Sequence, residues 1–211
     1  SAASDVYKRQ GQIPFYLDAV FEMISGFTTT GSSILPAVEE LDKCMLFWRS
    51  FSHWIGGMGI LVFLLAVLPL VGGSNMQLMK AESPGPSVGK LVPKVRFTAR
   101  ILYVLYVALT LLQVLVMLMG GMTLYEALCT SFGTAGTGGF GIYGDSIARF
   151  SPFLQWAITV FMIAFGVNFN VYFLLFMRRP KDALHCEEMH WYLGIITAAA
   201  LLICVNAYDV T

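Results

Sequence analysis

The chain has 211 residues, 57% of them hydrophobic and only 12% charged, with a mean hydropathy of +0.70 and a net charge of zero. Charge at half the ~25% of an ordinary soluble domain identifies an integral membrane protein, and the zero balance excludes an electrostatic footprint for nucleic acid. Cys44, Cys129, Cys186 and Cys204, with His53, His185 and His190, form no metal-ligand spacing. The cysteines read as small buried hydrophobes, and no transition-metal site is expected.

Residues 1–10 are polar and aperiodic and read as a disordered or non-native tail. Asp5–Gln10 resembles the translation of a transposon-end sequencing adapter, and no signal peptide pattern is present, so a fragment with a non-native start is expected. After Pro14, a residue favoured in the first helical turn, Ala19, Val20, Met23, Ile24 and Phe27 recur at helical spacing. A helix over Phe15–Phe27 would be about 20 Å long, too short for a membrane span of about 20 apolar residues. The hydroxyl-rich turn Thr28–Ser33 follows, then a long apolar run, Cys44–Leu70. This order is that of a re-entrant pore loop.

Irregular backbone at membrane depth is tolerated where protein or a water-filled cavity surrounds it. There a dehydrated cation can exchange its water shell for carbonyls and hydroxyls. Thr28, Thr29, Thr30 and Ser32 offer both kinds of oxygen, and Gly31 can take the positive φ that re-aims a carbonyl. The negative C-terminal end of the preceding helix favours a cation at the same place. The plainer alternative is a polar loop that caps the next helix.

Three further apolar segments follow Cys44–Leu70: Phe97–Met119, Phe153–Met177 and Trp191–Val205, the last short and expected to be cut off. Gly56-Gly-Met-Gly59 interrupts the first, which allows either a bend or a close helix contact. Lys80, Lys90, Lys94, Arg96 and Arg100 crowd one connection, and Arg178, Arg179 and Lys181 another. Glu39, Glu40, Asp42 and Asp145 lie on the other side. The positive-inside bias places the two basic connections in the cytoplasm. Between them lie two long helices, so the segment joining those helices dips in from outside and returns.

That segment repeats the opening motif. Tyr125–Phe132 reads as a second short helix and Gly133–Gly141 as a second Gly/Thr turn. Aligning Asp18-Ala19 with Glu126-Ala127 sets Gly31 opposite Gly139, 108 residues on. A period of that kind raises a Gly-rich turn above a lone motif. A phosphate-cradling loop is the competitor, but no lysine follows as in GxxxxGK[ST]. On the inner helix, Asn168 and Asn170 are candidates to line a pore or to hydrogen-bond between helices.

At these residues the chain resembles the TrkH/KtrB family of potassium transporters, and more closely its TrkH branch. The resemblance rests on Asp18–Leu35, Leu46–Pro69 with His53–Ile60, Met76–Pro86 and Ser131–Phe140. It implies a pore of four repeats in one chain, each giving a glycine to a filter. Gly31 matches the first filter glycine. For the second, helix alignment favours Gly139, with Thr137 and Gly138 beside it, whereas the Phe132–Gly136 spelling favours Gly136. The resemblance further implies a homodimer and a cytosolic nucleotide-binding ring of the TrkA/KtrA kind. The basic connections lie on the side to meet such a ring, although anionic headgroups explain the same charges.

The sequence thus predicts an all-α integral membrane protein of repeated outer helix–pore helix–filter loop–inner helix units. Its expected parts are 11–70 (the end of repeat 1), 71–96 (cytoplasmic), 97–177 (repeat 2), 178–190 (cytoplasmic) and 191–211 (the start of repeat 3). The expected function is potassium uptake across a bacterial inner membrane, with potassium as substrate, no cofactor and no catalysed chemistry. The rivals are a channel with one pore loop per subunit, and a membrane scaffold or enzyme subunit whose Gly/Thr turns only pack helices.

Overall fold

The structure is a computed structural model describing residues 13, 15–35, 37–59, 88–176 and 186–208, with side chains omitted at 88–98, 170, 173, 176, 207 and 208. All regular structure among the described residues is helical. The chain divides into two compact units, Ser1–Phe165 and Gly166–Thr211.

The first unit holds α1 (Tyr16–Phe27), a 3-10 turn (Val38–Glu40), α2 (Lys43–Gly57), α3 (Val88–Met119), α4 (Leu124–Ala135) and α5 (Pro152–Gly166), whose last residue crosses the division. Helix α2 packs against both short helices, α1 and α4, and α3 packs against α4. The apolar face of α1 carries Ala19 and Met23 into a core with Leu41, Met45, Leu46, Cys129 and Ile142. A second cluster joins Val114 and Met117 to Met122, Ala127, Leu154 and Ile158. Helices α2, α3 and α4 also share an aromatic group: the Trp54 ring is 5.5 Å from both Tyr106 and Phe132, and Phe51 is 5.8 Å from Phe132. The polar atoms of Trp54 and Tyr106 are paired, as a lipid surround demands. Trp54 Nε1 donates to Thr110 Oγ1 (3.1 Å), and the Tyr106 hydroxyl to the Trp54 carbonyl (2.9 Å).

Ala99–Met119 of α3 has mean hydropathy 2.5 and Glu187–Asn206 has 1.6; both are long and apolar enough to cross a membrane. On α3, Val104, Leu111, Leu112, Leu115 and Met119 form an exposed apolar face suited to lipid. The second unit consists of α6 (Phe169–Phe176) and α7 (Glu187–Tyr208).

Several boundaries differ from those expected. Helix α4 absorbs Gly133, Thr134 and Ala135, which the sequence reading placed in the turn. It starts on a capping box, Thr123 with Glu126, and the Thr134 hydroxyl bonds back to the Thr130 carbonyl (2.8 Å) as in a continuing helix. Helix α3 begins at Val88, so part of the expected connection 71–96 is helical. Phe153–Met177 is not one helix: α5 ends at Gly166 and α6 starts at Phe169. A Cβ at Gly166 would overlap the Tyr192 ring, and glycine is a weak helix former. Helix α2 stops at Gly57, and Gly59 follows at φ +73°. Of the cysteines only Cys129 is buried, while Cys44 and Cys204 are exposed. Small apolar side chains are tolerated facing lipid. Residues 60–70, Met76–Pro86, Lys80, Arg178, Arg179, Lys181 and the tail lie outside the described residues, as do the side chains of Lys90, Lys94 and Arg96.

Candidate functional site: two abutting turns

Each short helix ends in a turn of the same design. At the end of α1, Thr29 N donates to the Gly26 carbonyl (3.1 Å) and Thr30 N to the Ser25 carbonyl (3.0 Å), the bonding of a Schellman cap. The residue such a cap needs in the left-handed region is Thr29, at φ +56°, and Gly31 follows at +73°. At the end of α4, Gly136 caps with an ordinary φ of −74°. Thr137 then sits at +59° and Gly139 at +73°. Thr29 and Thr137, and Gly31 and Gly139, are each 108 residues apart. The backbone therefore repeats with the period read from the sequence. Gly139 shares the conformation of Gly31, and Gly136 does not. A left-handed threonine carries about 1–2 kcal/mol of strain, and strain of this kind collects at functional sites.

The two turns touch. A Cβ on Gly31 would overlap the Gly138 carbonyl, with the carbonyl carbon 2.7 Å away. A Cβ on Gly138 would lie 2.6 Å from the Thr29 carbonyl oxygen. Glycine at both positions permits this backbone-to-backbone approach. Gly139 is open, with only Met162 Cε at 3.8 Å, and Thr137 is exposed. Gly136 is buried against the His53 imidazole, whose Nε2 accepts from Gly138 N (3.2 Å). Among the described residues no donor reaches the carbonyls of Thr29, Thr30, Gly31, Thr137, Gly138 or Gly139. The hydroxyls are more committed: Thr28 Oγ1 donates to the Ile24 carbonyl (2.7 Å) and pairs with Thr30 Oγ1 (2.8 Å). Ser32 is exposed, and its carbonyl accepts from Ser25 Oγ (2.6 Å).

Behind the turns lies a buried ion pair. Arg49 Nε is 2.9 Å from Glu22 Oε2, and the two side chains are 3% and 0% exposed. The other Glu22 oxygen accepts from Ser33 Oγ and from Ile34 N, both at 2.7 Å. Arg49 Nη1 donates to the Gly141 carbonyl (2.8 Å), and the guanidinium lies 3.6 Å over the Phe140 ring. The two glycines before Met58 are packing positions. A Cβ on Gly56 would meet the end of α1 at Phe27 and Thr29, and one on Gly57 the end of α4 at Ala135 and Gly136. The stretch supplies a close helix contact, and Gly59 beyond it sits at positive φ.

Farther out, the Glu39 carboxylate accepts from Gly144 N, which joins the loops after the two turns. That bond is the main reason the Glu39 carboxyl is held below its ordinary value of 4.5. Arg149 pairs with Asp145 (3.2 Å) and lies 3.8 Å over the Tyr143 ring. In the second unit Asn168 gives its amide to Glu188 of α7, the interhelical alternative raised for it, and the Asn170 side chain lies outside the described residues.

Sequence reading missed three features: the strain at Thr29 and Thr137, the grip of His53 on Gly138, and the Glu22–Arg49 pair. Two had a visible signal. Thr-x-Gly recurs at both turns, and Glu22 and Arg49 are charges inside apolar helices, which mark a functional position by default. No cluster of His, Cys, Asp and Glu that could hold a metal exists among the described residues. What the site offers is two rows of backbone oxygens at two helix C-termini that meet no donor among the described residues.

A family model for TrkH, described as a cation transport protein, matches residues 4–205. The chain is 40% identical over 181 residues to the Trk system potassium uptake protein TrkH of Escherichia coli K12, covering 84% of this chain and 38% of that protein. It is 33% identical over 183 residues to TrkG of the same organism, covering 85% and 38%. The crystal structure of the potassium transporter TrkH from Vibrio parahaemolyticus superposes with a TM-score of 0.64 at 31% identity, covering 90% of this chain and 38% of that one. The chain therefore spans about two-fifths of the length of these relatives. Its fold is that of an all-α membrane protein with channel-like repeats. With nearly its whole length matched by the family model, the chain belongs to the TrkH cation transport family.

Proposed function

We propose that this chain forms part of a potassium-uptake pore in which a dehydrated ion rests on the carbonyls of the two abutting turns. The observation that carries this reading is the run of carbonyls that meet no donor among the described residues, around matching left-handed residues where two helices end. Such oxygens replace a hydration shell, and the helix C-termini add negative potential. The filter residues are Thr28, Thr29, Thr30, Gly31 and Ser32 on one side and Thr137, Gly138 and Gly139 on the other. Gly136 packs behind them against His53. The potassium-uptake names of the relatives support the choice of ion.

Two turns make half of a fourfold ring, and the relatives' greater length leaves room for the rest. In this reading 11–59 ends one repeat, 88–176 is a second with its inner helix broken at Gly166–Asn168, and 186–208 opens a third. The membrane is the bacterial inner membrane with the basic connections in the cytoplasm. Partners are a second copy and a cytosolic nucleotide-binding ring; the relatives' naming as a Trk system supports more than one component. Asn168 serves between helices, and Asn170 remains a lining candidate. Potassium is cargo, and no reaction is catalysed.

The test is growth of an uptake-deficient bacterium at limiting potassium, carrying the complete open reading frame that encodes this chain. Rescue is expected. Membrane expression without rescue would favour a scaffold role and sink the reading.

A further inference from the structure

Glu22 and Arg49 form one hydrogen-bonded line across the site. Ser33 Oγ and Ile34 N donate to one Glu22 oxygen, Arg49 Nε reaches the other, and Arg49 Nη1 ends on the Gly141 carbonyl. Its two ends lie just past the two left-handed glycines: Ser33 and Ile34 follow Gly31, and Gly141 follows Gly139. The line thus begins on the exit of one turn and finishes on the exit of the other. Helix α2 grips the second turn twice. His53, four residues after Arg49 and so on the same face, takes the Gly138 N–H. The arrangement is not repeated: 108 residues on from Glu22 and Arg49 stand Thr130 and Ala157, neither charged.

A buried ion pair is weak evidence for stability, since desolvation offsets the attraction and an apolar pair of similar volume often holds a core equally well. What an apolar pair cannot do is hold Ser33, Ile34 and Gly141 at fixed hydrogen-bond lengths from one rigid centre. Arginine suits the task because its planar fork can bind a carboxylate and a carbonyl in different directions at once.

We propose that Glu22 and Arg49 are a positioning pair that sets the spacing between the two turns, and through it the discrimination of potassium from sodium. This rests on the potassium-pore reading, and neither residue touches the ion. Sodium is the smaller ion, so opposed carbonyls free to drift closer can replace its water as well as potassium's.

Two variants of the complete protein test it. Glu22→Met with Arg49→Met removes both charges together, so no uncompensated charge is left buried, but it breaks every bond in the line. Arg49→Lys keeps the ion pair and loses the second direction of the fork. Rb⁺ uptake with and without competing Na⁺ is measured per inserted molecule. Spin labels at Ile34 and Ala148, both exposed, report the spacing of the loops without any transport. The double variant should insert and still take up Rb⁺, with Na⁺ competing about tenfold better, the factor expected of one charge-assisted hydrogen bond. Its label distances should broaden, and Arg49→Lys should fall between. Wild-type discrimination in both variants, or lower insertion with discrimination per molecule unchanged, would overturn the proposal. A double-variant distance distribution as narrow as the parent's would overturn it too, whatever the uptake. Absence of Rb⁺ uptake in the unaltered protein would instead count against the potassium-pore reading, and the label distances would still decide the role of the pair.

Discussion

Gly31 and Gly139 share one backbone conformation but not one environment. Both sit at φ +73°, so any side chain there meets about 1–2 kcal/mol of strain. At Gly31 the added Cβ would also displace the Gly138 carbonyl, whereas at Gly139 it would meet only Met162 at 3.8 Å. Gly31→Ala should therefore disturb both turns and Gly139→Ala one. In the complete protein both should insert, and the Na⁺ sensitivity of Rb⁺ uptake should rise more for Gly31→Ala. Equal effects would mean that the contact between the turns does not matter. Gly26→Ala is the packing control: its Cβ would press on the Ser52 hydroxyl, a side chain that can rotate away. Thr29→Gly should relieve left-handed strain and raise thermal stability by about 1 kcal/mol. An unchanged or lower melting temperature would show that the threonine side chain holds the turn. The equivalence of Gly31 and Gly139 was legible from the period. The crowding at Gly31 was not, because it depends on where a segment more than 100 residues away folds back.

At the scale of elements, the two short helices start differently and end alike. α4 opens on a capping box, whereas α1 follows Phe15 with no side-chain cap. The loops beyond their turns are joined where Glu39 accepts from Gly144 N. That bond depresses the carboxyl below 4.5, so its stabilising contribution is present above that pH and is lost as pH falls through the lower, folded value. Glu39→Gln should be less stable than the parent at pH 6–7, and the gap should close as pH drops below about 4.5. A gap that does not narrow at all as the pH falls below 4.5 would assign it to packing instead. The sequence signals α4 through Thr123 and Glu126, and the helix runs past the expected Tyr125–Phe132 at both ends, to Leu124 and Ala135. Helical Gly133 is held by its surroundings: a Cβ there would overlap the Phe140 carbonyl.

For the whole molecule the proposed topology makes a direct prediction. Glu39 and Asp145 are both exposed, and their loops meet through Glu39 and Gly144. Cysteines at Glu39 and Asp145 should react with an impermeant thiol reagent on intact cells, in a background where the exposed native Cys44 and Cys204 are replaced by serine. A cysteine at Lys90 should not react. Labelling of Lys90 from outside would reverse the orientation.

The sequence by itself determined the class, the two short helices and the period of 108 that sets Gly31 opposite Gly139, while leaving Gly136 as an alternative. These follow from composition and local spacing, which any single stretch of chain carries. It also supplied Glu22 and Arg49 without relating them, since a lone charge in an apolar helix does not name its partner. Tertiary structure decided that Gly31 abuts Gly138, that His53 holds the second turn, and that one ion pair ties both exits. Each of these is a contact between segments distant in the chain. Such contacts arise because buried charges and backbone groups in an apolar surround must find partners wherever the packing brings them.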